Sequence, residues 1–184
     1  MARNAWERVI LADLPGKGEP VHTARERTIQ WEDPLAHLPQ TMTMTGLEYL
    51  QAIGTGDMPH PPIMALLGID GLSAEAGRVE FTCTAAEYHY NPIGLVHGGV
   101  LATLLDSAMS CAVHSTLEAG VGYTTLEVKV NFVRGATLAS GRMRAFGETI
   151  HVGRTVATAQ GRLTDGEGRL LAHGTTTCLI MRQT

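Results

Sequence analysis

The chain has 184 residues, 44% of them hydrophobic, and a formal net charge of −4, enough for one domain with a substantial core and a tail beside it. Lysine and arginine are scattered rather than gathered into a basic patch, which argues against nucleic acid as a partner. No apolar run approaches the ~18 residues that a bilayer crossing requires, so no membrane partner is expected.

The opening stretch Met1-Ala2-Arg3-Asn4-Ala5-Trp6-Glu7-Arg8 carries an acid and lacks an apolar region, unlike a secretory signal. Cys83, Cys111 and Cys178 stand far apart and are odd in number. They read as buried reduced thiols of a cytoplasmic protein, not as a disulfide framework or a zinc site. Residues 1–60 are polar, weakly periodic and rich in Pro, Thr and Met. They are expected to form a helical or irregular arm packed on a domain spanning 61–184. Within the arm, 45–53 predicts a short helix capped by Thr45 and stopped at Gly54. Pro59-His60-Pro61-Pro62 is a stiff connector, and 63–67 predicts a second short helix ending at Gly68.

Beyond residue 69 the pattern changes. Val79, Phe81 and Cys83 alternate with Glu80, Thr82 and Thr84, which predicts a strand. A loop through Tyr88-His89-Tyr90-Asn91-Pro92-Ile93-Gly94 leads to a helix over 98–118 that ends near Gly120. Four period-two runs follow, at 126–132, 139–150, 154–164 and 169–181, the last pair joined by the turn Asp165-Gly166-Glu167-Gly168. One strand, one long helix and four strands predict an α+β layout, an antiparallel sheet packed on a single helix.

That helix opens on Val96-His97-Gly98-Gly99 and carries a lone acid, Asp106. Its apolar stripe is Val100, Leu101, Leu104, Leu105, Ala108, Met109, Ala112 and Val113. Ala102, Ala108 and Ala112 keep it thin, so that a sheet can approach. The other face, Thr103, Asp106, Ser107, Ser110 and His114, is polar but almost uncharged. A solvated helix face normally shows Lys, Glu and Arg, so this one is expected to line a cleft or a subunit interface. A helix start is rich in N–H donors and partly positive, and a carboxylate among apolar residues is costly unless something needs it. Together they suggest a site that polarises a carbonyl and attacks it. Gly98 and Asp106 nevertheless lie about 12 Å apart along one helix, whereas a reacting carbonyl sits ~3 Å from both donor and attacker. Either the two do not cooperate, or one protomer supplies the donor and another the acid, as two antiparallel helices in a homodimer would allow.

Each candidate has a plainer reading. Asp106 could cap or bridge across a dimer, His97 could only fix the turn, Asn91 before Pro92 is a common loop pair, and Gly99 could serve backbone shape alone. His89, His151 and His173 lack ligand spacing, so no metal is expected. No Gly-x-Ser-x-Gly elbow exists, and Cys111 has no base at a readable spacing.

Asn91, His97-Gly98-Gly99, Asp106 and the strand Thr125-Leu126-Glu127-Val128-Lys129-Val130-Asn131-Phe132-Val133-Arg134 resemble the phenylacetate-pathway (PaaI-type) thioesterases of the hotdog superfamily, over residues 69–182. The resemblance implies a hotdog fold, a long central helix wrapped by a curved antiparallel sheet, assembled as a homodimer and commonly as a dimer of dimers, a homotetramer. It implies hydrolysis of an acyl-CoA thioester with no metal and no cofactor, coenzyme A being part of the substrate. Gly98 corresponds to the N–H that polarises the carbonyl, and Asp106 of the facing subunit to the attacking or water-activating carboxylate. Asn91 and His97 correspond to residues that orient substrate or water, and Thr125, or else Thr124, to a hydroxyl beside the acid. Gly135 departs from the pattern, where Pro is frequent.

Arg134, Arg154 and Arg169, each near a strand end, are candidates for the phosphates of CoA, against the reading of solvated surface charges. Gly99 joins the expected substrate-binding set. With 5% aromatic residues no aromatic pocket is evident, and Met58, Met64 and Leu67 are the acyl-pocket candidates. The competing reading is a non-catalytic hotdog module that binds acyl-CoA or acyl carrier protein. Asp106 discriminates, since a binding module has no need of an acid opposite a helix start.

Overall fold

A computed structural model describes residues 24–182; the opening stretch Met1–Arg8 lies outside them. After a short helix α1 (Leu38–Thr41), the chain forms α2 (Gly46–Thr55) and α3 (Pro62–Leu67), then β1 (Ile69–Glu75) and β2 (Arg78–Thr84). The central helix α4 (Gly98–His114) follows, then β3 (Gly122–Phe132), β4 (Arg142–Val152), β5 (Val156–Thr164) and β6 (Leu170–Met181). The strands form one antiparallel sheet in the order β1-β2-β4-β5-β6-β3, and α4 packs against β2, β3, β4, β5 and β6. The expected α+β architecture is present, with one strand more than the alternation predicts. That strand, β1, is an edge with a bulge between Ile69 and Gly71. Only Ile69 of it is fully buried, so no clean period-two signal marks it.

The helix seats on the sheet for a steric reason. Gly147, Gly161 and Gly174 are register partners in one row across β4, β5 and β6. A Cβ at Gly147 would collide with the Ala108 carbonyl, and one at Gly161 would lie 2.7 Å from Met109 Cγ. The missing side chains let the helix backbone approach the strands. Leu101, Leu104, Leu105, Ala108, Met109, Ala112 and Val113 are all buried there, and each of the larger ones contributes about 1.5–3 kcal/mol on leaving water. Ala102, by contrast, is half-buried, away from the contact row. The helix stops at His114, with Ser115 as C-cap, one turn short of the predicted end, and Leu117 is buried in the connection to β3.

The described part of the arm, from residue 24 onward, folds as its caps direct, and the expected arm over 1–23 lies outside the described residues. Thr45 and Glu48 form a reciprocal capping box, with Glu48 accepting from the Thr45 N–H at 2.8 Å. The helix runs through Gly54 and ends at Gly56, which takes the left-handed conformation at φ 86°; the stop is therefore two residues later than predicted. Gly68 ends α3 as expected, at φ 66°. Leu50, Ile53, Met58 and Met64 join the same buried cluster as α4. On β3 a bulge between Thr125 and Glu127 turns Leu126 outward, where it is 58% exposed. Simple alternation groups Leu126 with Val128, Val130 and Phe132; Val128 and Val130 are half-buried, and Phe132, near the strand end, is exposed.

Candidate active site

The loop before α4 is tied down by its own polar groups. Asn91 Oδ1 accepts the N–H groups of Ile93 and Leu95, both at 3.1 Å. The Asn91 N–H donates to the Leu95 carbonyl, and the Val96 N–H to Ala136. Asn91 thus shapes the loop that delivers the helix start. His89 fixes the same loop from beneath. It is buried, its Nδ1 accepts from the Ala86 N–H at 3.1 Å, and its Nε2 donates to the Leu67 carbonyl at 2.8 Å. Burial pushes its pKa down, which keeps the ring neutral in that bridge. In turn the His89 carbonyl accepts the His97 N–H at 2.8 Å. Nothing in the residue spacing marks His89 for this part.

His97 is the N-cap of α4, and its Nδ1 accepts the Gly99 N–H at 2.9 Å. In the neutral ring the proton is then on Nε2, on an exposed side chain. A Cβ on Gly99 would lie 2.9 Å from that same Nδ1, so a side chain there would make the capping ring shift, and the Gly99 N–H is engaged by the cap. Gly98 is the first helical residue, and among the described residues no acceptor is bonded to its N–H. That donor sits at the positive end of a 17-residue helix. The Phe132 ring lies over Gly98, whose Cβ would come within 3.2 Å of it. Phe132 is a neighbour of the donor that spacing alone does not single out.

Two turns on, Asp106 is half-buried, and Thr125 Oγ1 donates to its Oδ1 at 3.0 Å. Thr124, the neighbour in the strand, is exposed on the opposite face. The structure therefore brings Asp106 and Thr125 together and leaves Thr124 aside. Asn91, His97, Gly98 and Gly99 gather at the helix start.

Arg134 and Arg154 are both exposed and lie at opposite ends of the sheet. Arg134 follows Phe132, which pairs with Ala172, and Arg154 precedes Val156, which pairs with Leu179. Arg169 is held by Asp165 at 2.7 Å and Glu167 at 2.9 Å.

Asp106 opens onto a cavity of about 320 Å³. The helix wall is Asp106, Ser107, Ser110, Cys111 and His114; four of these belong to the polar face expected to line a cleft, Cys111 is an addition to it, and Thr103 of that face does not line the cavity. The arm supplies Tyr49, Leu50 and Ile53, the start of the following domain supplies Pro61, Ile63 and Met64, and the sheet supplies Ile69, Leu72, Phe81 and Tyr123. Met64 is there as expected; Met58 is buried elsewhere in the core, and Leu67 does not line the cavity. Three aromatic residues line it although the composition hinted at none. The His114 ring stands between Tyr49 and Tyr123, with centroids 5.8 and 4.8 Å away. Burial pushes the His114 pKa down to about 4. Burial likewise pushes the Cys111 thiol up to about 11, with the Asp106 charge adding to the shift, so Cys111 is a wall residue rather than a nucleophile. Among the described residues no helix is long and apolar enough to cross a membrane, and no three His, Cys, Asp or Glu residues cluster as metal ligands.

Residues 93–172 match the model of the thioesterase superfamily. The chain is 30% identical to the 1,4-dihydroxy-2-naphthoyl-CoA hydrolase of Escherichia coli K12 over 73% of its own length and 94% of that protein's. Among solved structures, a phenylacetic acid degradation-related protein from Ralstonia eutropha JMP134 superposes with a TM-score of 0.64 at 32% identity, covering 71% of this chain and 98% of that one. A Bacillus halodurans protein crystallised with CoA gives a TM-score of 0.62 at 25% identity, covering 76% and 91%. With the sheet, the central helix and the His97-Gly98 start already in place, this chain belongs to the thioesterase superfamily and has its hotdog fold.

Proposed function

We propose that the protein hydrolyses an acyl-CoA thioester to a free acid and CoA at a site shared by two copies of the chain. The observation that carries this is the pairing of a Gly98 N–H at a helix start, without an acceptor among the described residues, with an acid, Asp106, held by Thr125 at the mouth of a largely apolar cavity. The acyl-CoA hydrolase among its relatives and the CoA-bound neighbour support the substrate class.

The Gly98 N–H polarises the thioester carbonyl, and glycine permits the close approach. Asp106 acts on that carbon with Oδ2, the oxygen that Thr125 leaves free. It either forms an acyl-anhydride that water then opens, or takes a proton from the attacking water. In both routes the CoA thiolate leaves and is protonated from solvent. His97, exposed and with Nδ1 engaged by the Gly99 N–H, offers Nε2 to orient water or substrate, while Asn91 sets the loop that presents it.

Because Gly98 and Asp106 are about 12 Å apart on one helix, each active site combines Gly98 of one protomer with Asp106 of its partner. The free edge of β3 supplies the surface for joining two sheets, and two such dimers pair into a tetramer. With the helices antiparallel, Arg134 of one protomer and the partner's Arg154 fall on the same rim, where the phosphates of CoA lie. The arm over 1–60 serves as cover for the domain at 61–184, which works in the cytoplasm without metal or cofactor.

The test is an acyl-CoA panel read with a thiol reagent, comparing wild type with Asp106→Asn. Thiol release by wild type that falls by about 10³-fold or more in the variant supports the assignment. Equal release by both would remove Asp106 from the mechanism, and no release by wild type on any substrate would favour a binding module.

A further inference from the structure

Resting on the thioesterase reading, we propose that the cavity beside Asp106 is the acyl pocket and that it admits uncharged, mainly apolar acyl groups whose length is limited by His114. The cavity follows the helix, with Asp106 at one end, Ser110 between and His114 at the other. Eight helical residues span about 12 Å. A carbonyl placed at the acid therefore has a trough of that length for the group attached to it. The far end is closed by aromatic rings, since His114 stands within ring-contact distance of both Tyr49 and Tyr123. At about 320 Å³ the space lies at the small end of ligand pockets. That suits a medium-length chain or a compact aryl group, not a long-chain lipid.

The wall chemistry sets the polarity of the guest. Among the described residues no Lys or Arg lines the cavity, and Asp106 is its only acidic residue. Burial keeps His114 neutral near pH 7, and keeps the Cys111 and Tyr123 protons in place. An acyl group with a carboxylate at its distal end would lose its hydration against His114 and find no cation, a cost no wall residue offsets. The hydroxyls of Ser107, Ser110 and Tyr123 can meet a neutral polar substituent such as a hydroxyl.

The arm and α3 together make the opposite wall. Ile63 on α3 is 42% exposed and lines the cavity, so its side chain is a second control on size at a position that tolerates change.

The experiment measures kcat/KM over a straight-chain acyl-CoA series and one ω-carboxylated member, for wild type, His114→Ala and Ile63→Trp. In parallel, the binding of uncharged straight-chain alkanamides to the full-length proteins is followed by calorimetry. One methylene in an apolar pocket is worth about tenfold or more. The expected result is a wild-type optimum at intermediate length, moved to longer chains by at least about tenfold in the long-to-short ratio in His114→Ala. Ile63→Trp moves it to shorter chains, and the ω-carboxylated substrate falls about 100-fold below its uncharged equal. Amide binding follows the same order. Hydrolysis by wild type with an unshifted profile in a folded Ile63→Trp and in His114→Ala would overturn the pocket assignment alone. Amide binding with the expected length limit but no thioester hydrolysis would leave the pocket standing and remove the enzymatic reading. Absence of both would remove both.

Discussion

Thr125 on β3 holds Asp106 on α4 by a hydrogen bond of 3.0 Å from Oγ1 to Oδ1. The bond occupies one carboxylate oxygen and orients the other. A hydrogen bond to a charged group is worth about 1.5–3 kcal/mol. Thr125→Val, which keeps the shape and removes the hydroxyl, is expected to lower kcat by about 10- to 100-fold with little change in KM. Thr125→Ser should restore most of the rate. Steady-state kinetics on one acyl-CoA decides the matter, and equal activity of Val and Ser variants would reduce Thr125 to a packing residue.

A shared site makes a specific demand on mixed oligomers. Gly98 is the first residue of α4, preceded by His97 at φ −60°, ψ 135°, a setting in which proline is tolerated. Gly98→Pro removes the N–H, and its ring presses on Phe132, which lies 3.2 Å from a Cβ there; together these are expected to cost at least about 10²- to 10³-fold in rate. Asp106→Asn removes the acid. Co-expressed, the two inactive chains form a heterodimer in which one site carries both lesions and the other carries none. Activity should return to about half the wild-type value per heterodimer. A mixture as inactive as its parents would place both groups of each site in one protomer.

Two readings of His97, as helix cap and as participant in the reaction, can be separated by substitution. Its ring caps α4 through the Gly99 N–H at 2.9 Å, so His97→Ala should lose about 1 kcal/mol of stability. His97→Asn retains a cap by a side-chain oxygen and should unfold in urea near the wild-type midpoint. If the Asn variant is stable but slow, Nε2–H takes part in the reaction; if it is stable and fully active, the residue is a cap alone.

Acid should weaken the fold through His114. Its folded pKa of about 4 lies below the ordinary value of about 6.5. As pH falls, the unfolded chain takes up the proton first. The contribution is therefore whole above pH of about 6.5 and declines between there and about 4, with a slope approaching about 1.4 kcal/mol per pH unit. His89, pushed down mainly by burial, acts in the same direction. His114→Phe keeps a ring between Tyr49 and Tyr123 and should flatten this slope in urea titrations taken from about pH 7 to about pH 4.5. Parallel slopes for both proteins would show that His114 is not held neutral in the folded state.

Much of this site is legible from residue order, because helix periodicity is local. The steps of four from Asp106 to Ser110 to His114 by themselves put three cavity residues on one helix face. The His97-Gly98-Gly99 start is equally local, and its cap forms as a side-chain-to-backbone contact two residues apart. What escapes is what depends on distant pairing. Tyr49, Phe81 and Tyr123 meet across the cavity from three different elements, and no window of sequence contains them together. Phe132 reaches Gly98 only because β3 returns along α4. β1 escapes for another reason, being an edge strand whose bulge breaks the alternation that would reveal it.

The bulge at Leu126 has a consequence for how this chain can change. Before it the odd-numbered residues Tyr123 and Thr125 face α4, and after it the even-numbered Val128, Val130 and Phe132 do. The extra residue is a frame shift within one strand. Loss of a single codon there would swing either the hydroxyl at the acid or the ring at the helix start to the wrong side. Insertions and deletions across 123–132 should therefore be far more damaging than substitutions, however mild the residue removed.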